Sequence, residues 1–190
     1  MCQTSSVIIV LAVVLAGLFG AGDQYLGSFS MHPWMADVSL LSTPWLLVAF
    51  LAGYTQRDAK RAALLGFVCT FFALVGYGVM TLSPLENAHL SGPAVAGLIG
   101  SESRVIVGGV VTGPLFAWFG QRWRADRAWR GALAIAAAFC LEPVAHSLVG
   151  LPIRSSTVLL AEVGVGIAMA VYIAAQLSTA SGSNRANTSR

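Results

Sequence analysis

Val38–Tyr54 reads VSLLSTPWLLVAFLAGY, and after the link TQRDAKR the chain resumes at Ala62–Ser83 with AALLGFVCTFFALVGYGVMTLS. Neither run contains a charged residue, and the link between them carries Arg57, Lys60 and Arg61. A helix needs about 20 apolar residues to cross a bilayer. Two such runs around a short basic link describe a helical pair crossing and recrossing a membrane. Four further segments of the same character lie outside this pair: Ser6–Gly22, Arg104–Gly120, Gly131–Gly150 and Thr157–Leu177. The expectation is an all-α, polytopic bundle of six transmembrane helices.

Composition agrees. Of 190 residues, 56% are hydrophobic and 10% charged, and the mean hydropathy is +0.75. Soluble domains carry roughly 25% charged residues. That deficit excludes an ordinary soluble enzyme and a disordered protein. Residues 1–178 read as one transmembrane domain. Residues 179–190, rich in Ser, Thr, Asn and Gly, read as a disordered cytoplasmic tail. Met1–Ser6 holds no Lys or Arg, so the basic start of a signal peptide is missing and the first segment is expected to stay as a span.

Basic residues set the orientation. Arg57, Lys60, Arg61, Arg122, Arg124, Arg127, Arg130, Arg185 and Arg190 fall on one side, and only Arg104 and Arg154 on the other. Such asymmetry places the basic side and both termini in the cytoplasm. The net charge of +3 therefore reports topology, and nucleic acid is not an expected partner. The long link Pro84–Ser103 lies outside. Its apolar stretch Pro93–Gly100 is too short to span, and reads as a re-entrant or surface helix or a packed loop.

With this orientation, the polar residues of the spans gather in the outer half. Asp23 ends the first span, Ser42 and Thr43 open the second, and Tyr77 lies late in the third. Arg104 opens the fourth, Glu142 and His146 lie late in the fifth, and Glu162 lies early in the sixth. An acid at membrane depth must face the protein interior, water or a partner. Glu142 and His146 are one turn apart on one face, with Pro143 between them to kink the helix. Asp23, Tyr77, Arg104, Glu142, His146 and Glu162 are the candidate ligand-binding residues. The competing reading makes Glu142 and Glu162 partners of structural ion pairs with Arg104 or His146. Tyr25, Trp34, Trp45 and Tyr77 also suit an interfacial belt.

Other chemistry is poorly represented. Glu142-x-x-x-His146 gives two ligands and no second pair, so no metal site is expected, and no cofactor motif is present. Cys2, Cys69 and Cys140 are too dispersed for a metal site. Small residues recur at four-residue spacing in Ala12, Ala16 and Gly20, in Gly109 and Gly113, and in Gly164 and Ala168. Such rows permit close helix approach. They point to contacts within the bundle, or, for the first helix, to a membrane partner subunit.

The stretch Ser42–Gly53, with the basic link, Gly66, Gly76-Tyr77, Gly108–Pro114, Trp118 and the Arg122–Arg130 link, resembles a family of small multi-pass membrane proteins of actinobacteria that implies no activity. In layout the chain is also similar to the substrate-capturing subunits of energy-coupling vitamin transporters, which have six helices, both termini inside and an outward pocket. That likeness implies a membrane protein taking a small molecule from outside, as a transport-related module. A different class is similar too: membrane cyclases of isoprenoids. These need an acid held protonated in an apolar cavity, with Glu142 or Glu162 as the catalytic candidates. A non-catalytic accessory or immunity protein is the third reading.

Overall fold

The computed structural model describes residues 3–29, 32–126, 129–148, 150 and 153–188, with side chains described as far as residue 176 and from residue 6 onward. Cys2, Arg127 and Arg190 lie outside the described residues. Among the described residues the protein is all-helical, with no strand. The helices are α1 (Gln3–Gly27), α2 (Pro33–Ser39), α3 (Thr43–Tyr54), α4 (Ala59–Thr81), α5 (Gly92–Ser101), α6 (Ser103–Asp126), α7 (Trp129–Leu148) and α8 (Ser156–Thr188).

Among the described residues five stretches are each long and apolar enough to span a membrane: Ser6–Gly27, Ala59–Thr81, Ser103–Asp126, Trp129–Leu148 and Ser156–Gln176. The pair α2 and α3 makes a sixth only as a span bent by 47° at its break. The second span is therefore not the continuous helix from Val38 that hydropathy suggests. The cause is Pro44. It has no N–H to give to the Leu40 carbonyl, and its ring clashes with that carbonyl in a continuous helix. The chain stops at Ser39 and restarts at Thr43.

Pro93–Gly100 falls within the exposed ten-residue helix α5, which Ser91 caps by accepting from the Ala94 N–H at 3.3 Å. α8 runs from Ser156 to Thr188.

α3 lies at the centre, against α4, α6 and α7. α1 packs on α4, α8 on α7, and α2 touches both α1 and α8. The helices meet through small residues. A Cβ on Gly53 would sit 1.9 Å from the Ala117 carbonyl oxygen, and one on Gly120 would sit 2.0 Å from that of Phe50. A Cβ on Gly66 would meet the Gly113 carbonyl oxygen at 2.6 Å. The α1 row is occupied in the same way: Cβ atoms on Gly20 and Gly76 would fall 1.9 and 2.0 Å from the carbonyl oxygens of Ala73 and Gly17. The first helix thus spends its small-residue face on α4. The α8 row is displaced from its expected place. Gly164 faces open space, and the close contact falls on Gly166, against Cys140 and Ala136.

Away from these contacts, Val10, Leu18, Leu64, Val79, Val111 and Leu160 are exposed. Outward-facing apolar side chains suit lipid, and the chain has the character of a multi-pass integral membrane protein.

The two basic links come together at one end. Arg124 donates to the carbonyls of Tyr54 and Thr55 at 3.2 and 2.6 Å, and Gln121 Nε2 to the Arg57 carbonyl at 3.1 Å. A cation on the last carbonyls of α3 also complements the helix dipole.

Gly76→Ala should destabilise the bundle by about 1–3 kcal/mol, since its new methyl meets backbone that has no rotamer to change. Gly164→Ala should leave stability unchanged or slightly raised. Thermal unfolding of both variants in detergent checks the contrast.

Candidate functional site

The restart of α3 leaves two backbone donors at the break. Leu40 and Leu41 N–H groups turn back to the Asp37 and Val38 carbonyls at 3.3 and 3.1 Å, and Trp45 N–H finds Ser42 at 3.1 Å. Pro44 has no donor. Ser42 and Thr43 N–H remain, at the start of α3. Both donate to the carboxylate of Glu142: Ser42 to Oε1, and Thr43 to Oε2 at 2.9 Å. An acid from α7 thereby caps α3, and its negative charge faces the positive end of that helix.

Glu142 reaches this place because it continues the packed face of α7. Ala132, Ile135, Ala136, Phe139 and Glu142 are all buried at helical spacing. α8 presents Val158, Glu162, Gly166 and Ile173 in the same way. The two helices pack together, so their acids converge. Glu162 Oε1 accepts from Thr43 Oγ1 at 3.1 Å, and the Glu142 and Glu162 side chains are in direct contact. His146 Nε2 lies 3.3 Å from Glu142 Oε1. Glu142, Glu162 and Thr43 are 7%, 4% and 1% exposed, so the cluster is buried.

Two cavities flank the break. The first, about 430 Å³, is lined by Asp23, Ser39, Ser42, Trp45, Thr70, Tyr77, Glu102 and Thr112 among apolar neighbours. Asp23 accepts from Trp45 Nε1 at 3.3 Å, and the Trp45 ring meets Tyr77 edge-on at 6.3 Å between centroids. The second is a more open groove of about 520 Å³, lined by Trp34, Val38, Phe139, Ser155, Val158 and Glu162. Leu41, in the break itself, lines both.

The candidate residues thus divide. Asp23 and Tyr77 share the first cavity. Glu142, His146 and Glu162 form the cluster behind the break, and of the three Glu162 lines one of these two cavities. Arg104 is exposed, lines neither cavity, and makes no ion pair among the described residues. Of the two ion-pair partners considered for the acids, only His146 is within reach.

Some participants escape the sequence reading. Trp45 suits an interfacial belt by its residue type, yet its indole N–H is spent on Asp23. Asp37 is 4% exposed and accepts from the Ser155 N–H, at the start of α8, at 2.6 Å. The pointer to both is the repeated Pro-Trp at Pro33-Trp34 and Pro44-Trp45, which starts one helix at each copy. Among the described residues no group of three His, Cys, Asp or Glu can hold a metal ion.

The chain matches no family model, and no curated protein or solved structure shows a significant likeness to it.

Removing the cap should be costly. Glu142→Ala should lower stability by about 1–3 kcal/mol, because the buried Thr43 N–H and the Ser42 N–H beside it lose their acceptor. Arg104→Ala should change it little. Melting temperatures measured in the same detergent discriminate the two.

Proposed function

We propose that the chain is a six-span protein of the bacterial plasma membrane, with both termini cytoplasmic, that captures a small cationic molecule from outside in the first cavity. One observation carries this reading. The cavity lining contains two carboxylates, Asp23 and Glu102, and two aromatics, Trp45 and Tyr77, with no Lys or Arg. Acids supply charge, and ring faces attract a cation electrostatically. A mostly apolar lining with a few polar groups is what small-molecule sites use. A cavity of about 430 Å³ suits a small organic molecule.

The orientation rests on charge. The two basic links adjoin at the end away from the acids, and basic links favour the cytoplasmic side. Capture from outside on a short-linked bundle fits a transport-related module, as the layout of vitamin-capturing transporter subunits suggests. Such a module implies a membrane partner, and the lipid-facing side of α1 is free of the contact with α4.

A second reading has one observation in its favour. Glu162 is a buried acid lining a largely apolar groove with Trp34 and Phe139, as an isoprenoid cyclase requires. A cyclised product that disappears with Glu162→Gln, in cells fed candidate isoprenoids, would replace the capture reading.

Two measurements test the proposal. Tags on both termini should resist protease in intact cells and become accessible when the membrane is opened. A surface-accessible C-terminus overturns the orientation. An aromatic quaternary ammonium probe should bind the purified protein and a neutral isostere should not. Asp23→Asn should weaken that binding by about 1.5–3 kcal/mol, or roughly 10- to 150-fold. Equal binding of the cation and its isostere removes the cation class.

A further inference from the structure

The Glu142–Glu162 pair poses a question of hydrogen-bond accounting that does not depend on what enters the first cavity. Glu142 already accepts from the Ser42 N–H and the Thr43 N–H, and His146 Nε2 lies against its Oε1. Glu162 has one, Thr43 Oγ1, on its Oε1. Its Oε2 is buried without a partner, although the Glu142 carboxylate touches the same side chain. Two ionised carboxylates in contact would repel in a low dielectric, and an ionised Oε2 would have no donor. One proton resolves both difficulties: Glu162 Oε2–H donates to Glu142, and every carboxyl oxygen of the pair is then satisfied.

We infer that Glu142 and Glu162 form a binding site for a single proton, carried by Glu162 and shared with Glu142 at the break between α2 and α3. Proton exchange runs through the second cavity, since Glu162 lines it and Glu142 lines neither. The other titratable groups near the pair are already committed. His146 faces it from α7, with Nε2 3.3 Å from Glu142 Oε1. Asp37, from α2, accepts from the Ser155 N–H. The proton therefore governs one contact, that of α8 with the start of α3. Its loss places two adjoining anions there and favours separation of the two elements.

Sign follows directly. A proton bound in the folded protein stabilises it at low pH, and this contribution is lost as pH rises through the titration of the pair. The melting temperature of the purified full-length protein should fall over that range. Glu162→Gln, whose amide N–H₂ donates to Glu142 permanently, should flatten the fall. In infrared spectra the wild type should show the C=O stretch of a protonated carboxylic acid, lost in Glu162→Gln and kept in Asp37→Asn. Should Glu162→Gln fail to fold, Thr43→Val serves instead: it removes the hydroxyl donor to Glu162 and should displace that same stretch. Three results overturn the inference. They are a protonated-acid band that neither Glu162→Gln nor Thr43→Val alters, parallel pH dependence of melting in wild type and Glu162→Gln, and a sodium requirement showing that Oε2 holds a metal cation. None of these readouts involves the ammonium probe, so failure of cation capture leaves the proton site intact.

Discussion

Everything at the polar end of the molecule follows from two backbone N–H groups that have nowhere to go. Pro44 denies α2 a continuation, and the restart of the helix leaves Ser42 and Thr43 as donors inside a membrane protein. An unpaired backbone donor in that setting costs several kcal/mol. The protein meets the demand with a carboxylate from another span. That choice fixes the depth of Glu142, holds α7 against α3, and draws Glu162 and His146 to the same point. It also explains how an acid can be buried at 7% exposure with no ion pair to a Lys or Arg among the described residues. The helix end does the work of a cation.

A broken span has a second effect. It opens space on both sides of the break, and Leu41 stands between the resulting cavities. One is acidic and aromatic, while the other is apolar and reaches Glu162. The two therefore present different chemistry to whatever enters them. The charged group that meets the end of α3 is the protein's own Glu142.

Much of this is legible in the sequence, for identifiable reasons. Helical class follows from runs such as Ala62–Ser83, because length and apolarity leave few other structures. The inward direction of Glu142 and Glu162 follows from the cost of showing an acid to lipid. Their meeting is less direct: it needs α7 and α8 to pack along Phe139 and Gly166, and a regular small-residue row points to Gly164 instead. Spacing alone does not say which side of a helix its neighbour takes. Arg104 illustrates the same limit, since a residue at a span end can turn toward the site or toward solvent at nearly equal cost. Trp45 is hidden by its type. An indole at a membrane boundary is common, and only the partner Asp23 distinguishes it. The break is readable from Pro44 and its distance from Leu40, but hydropathy averages across it and returns a single span.

The glycine contacts divide the molecule mechanically. α3, α4 and α6 touch backbone to backbone at Gly53, Gly66 and Gly120, and α1 joins them at Gly20 and Gly76. Backbone has no rotamers, so these four helices form a block that resists shear. α7 and α8 meet that block mainly through side chains, with Phe50, Phe139, Ile135 and Trp123 filling the seam. Side chains can re-settle. Across this seam the hydrogen bonds of Glu142, on α7, to the Ser42 and Thr43 N–H groups tie the two parts together at the start of α3.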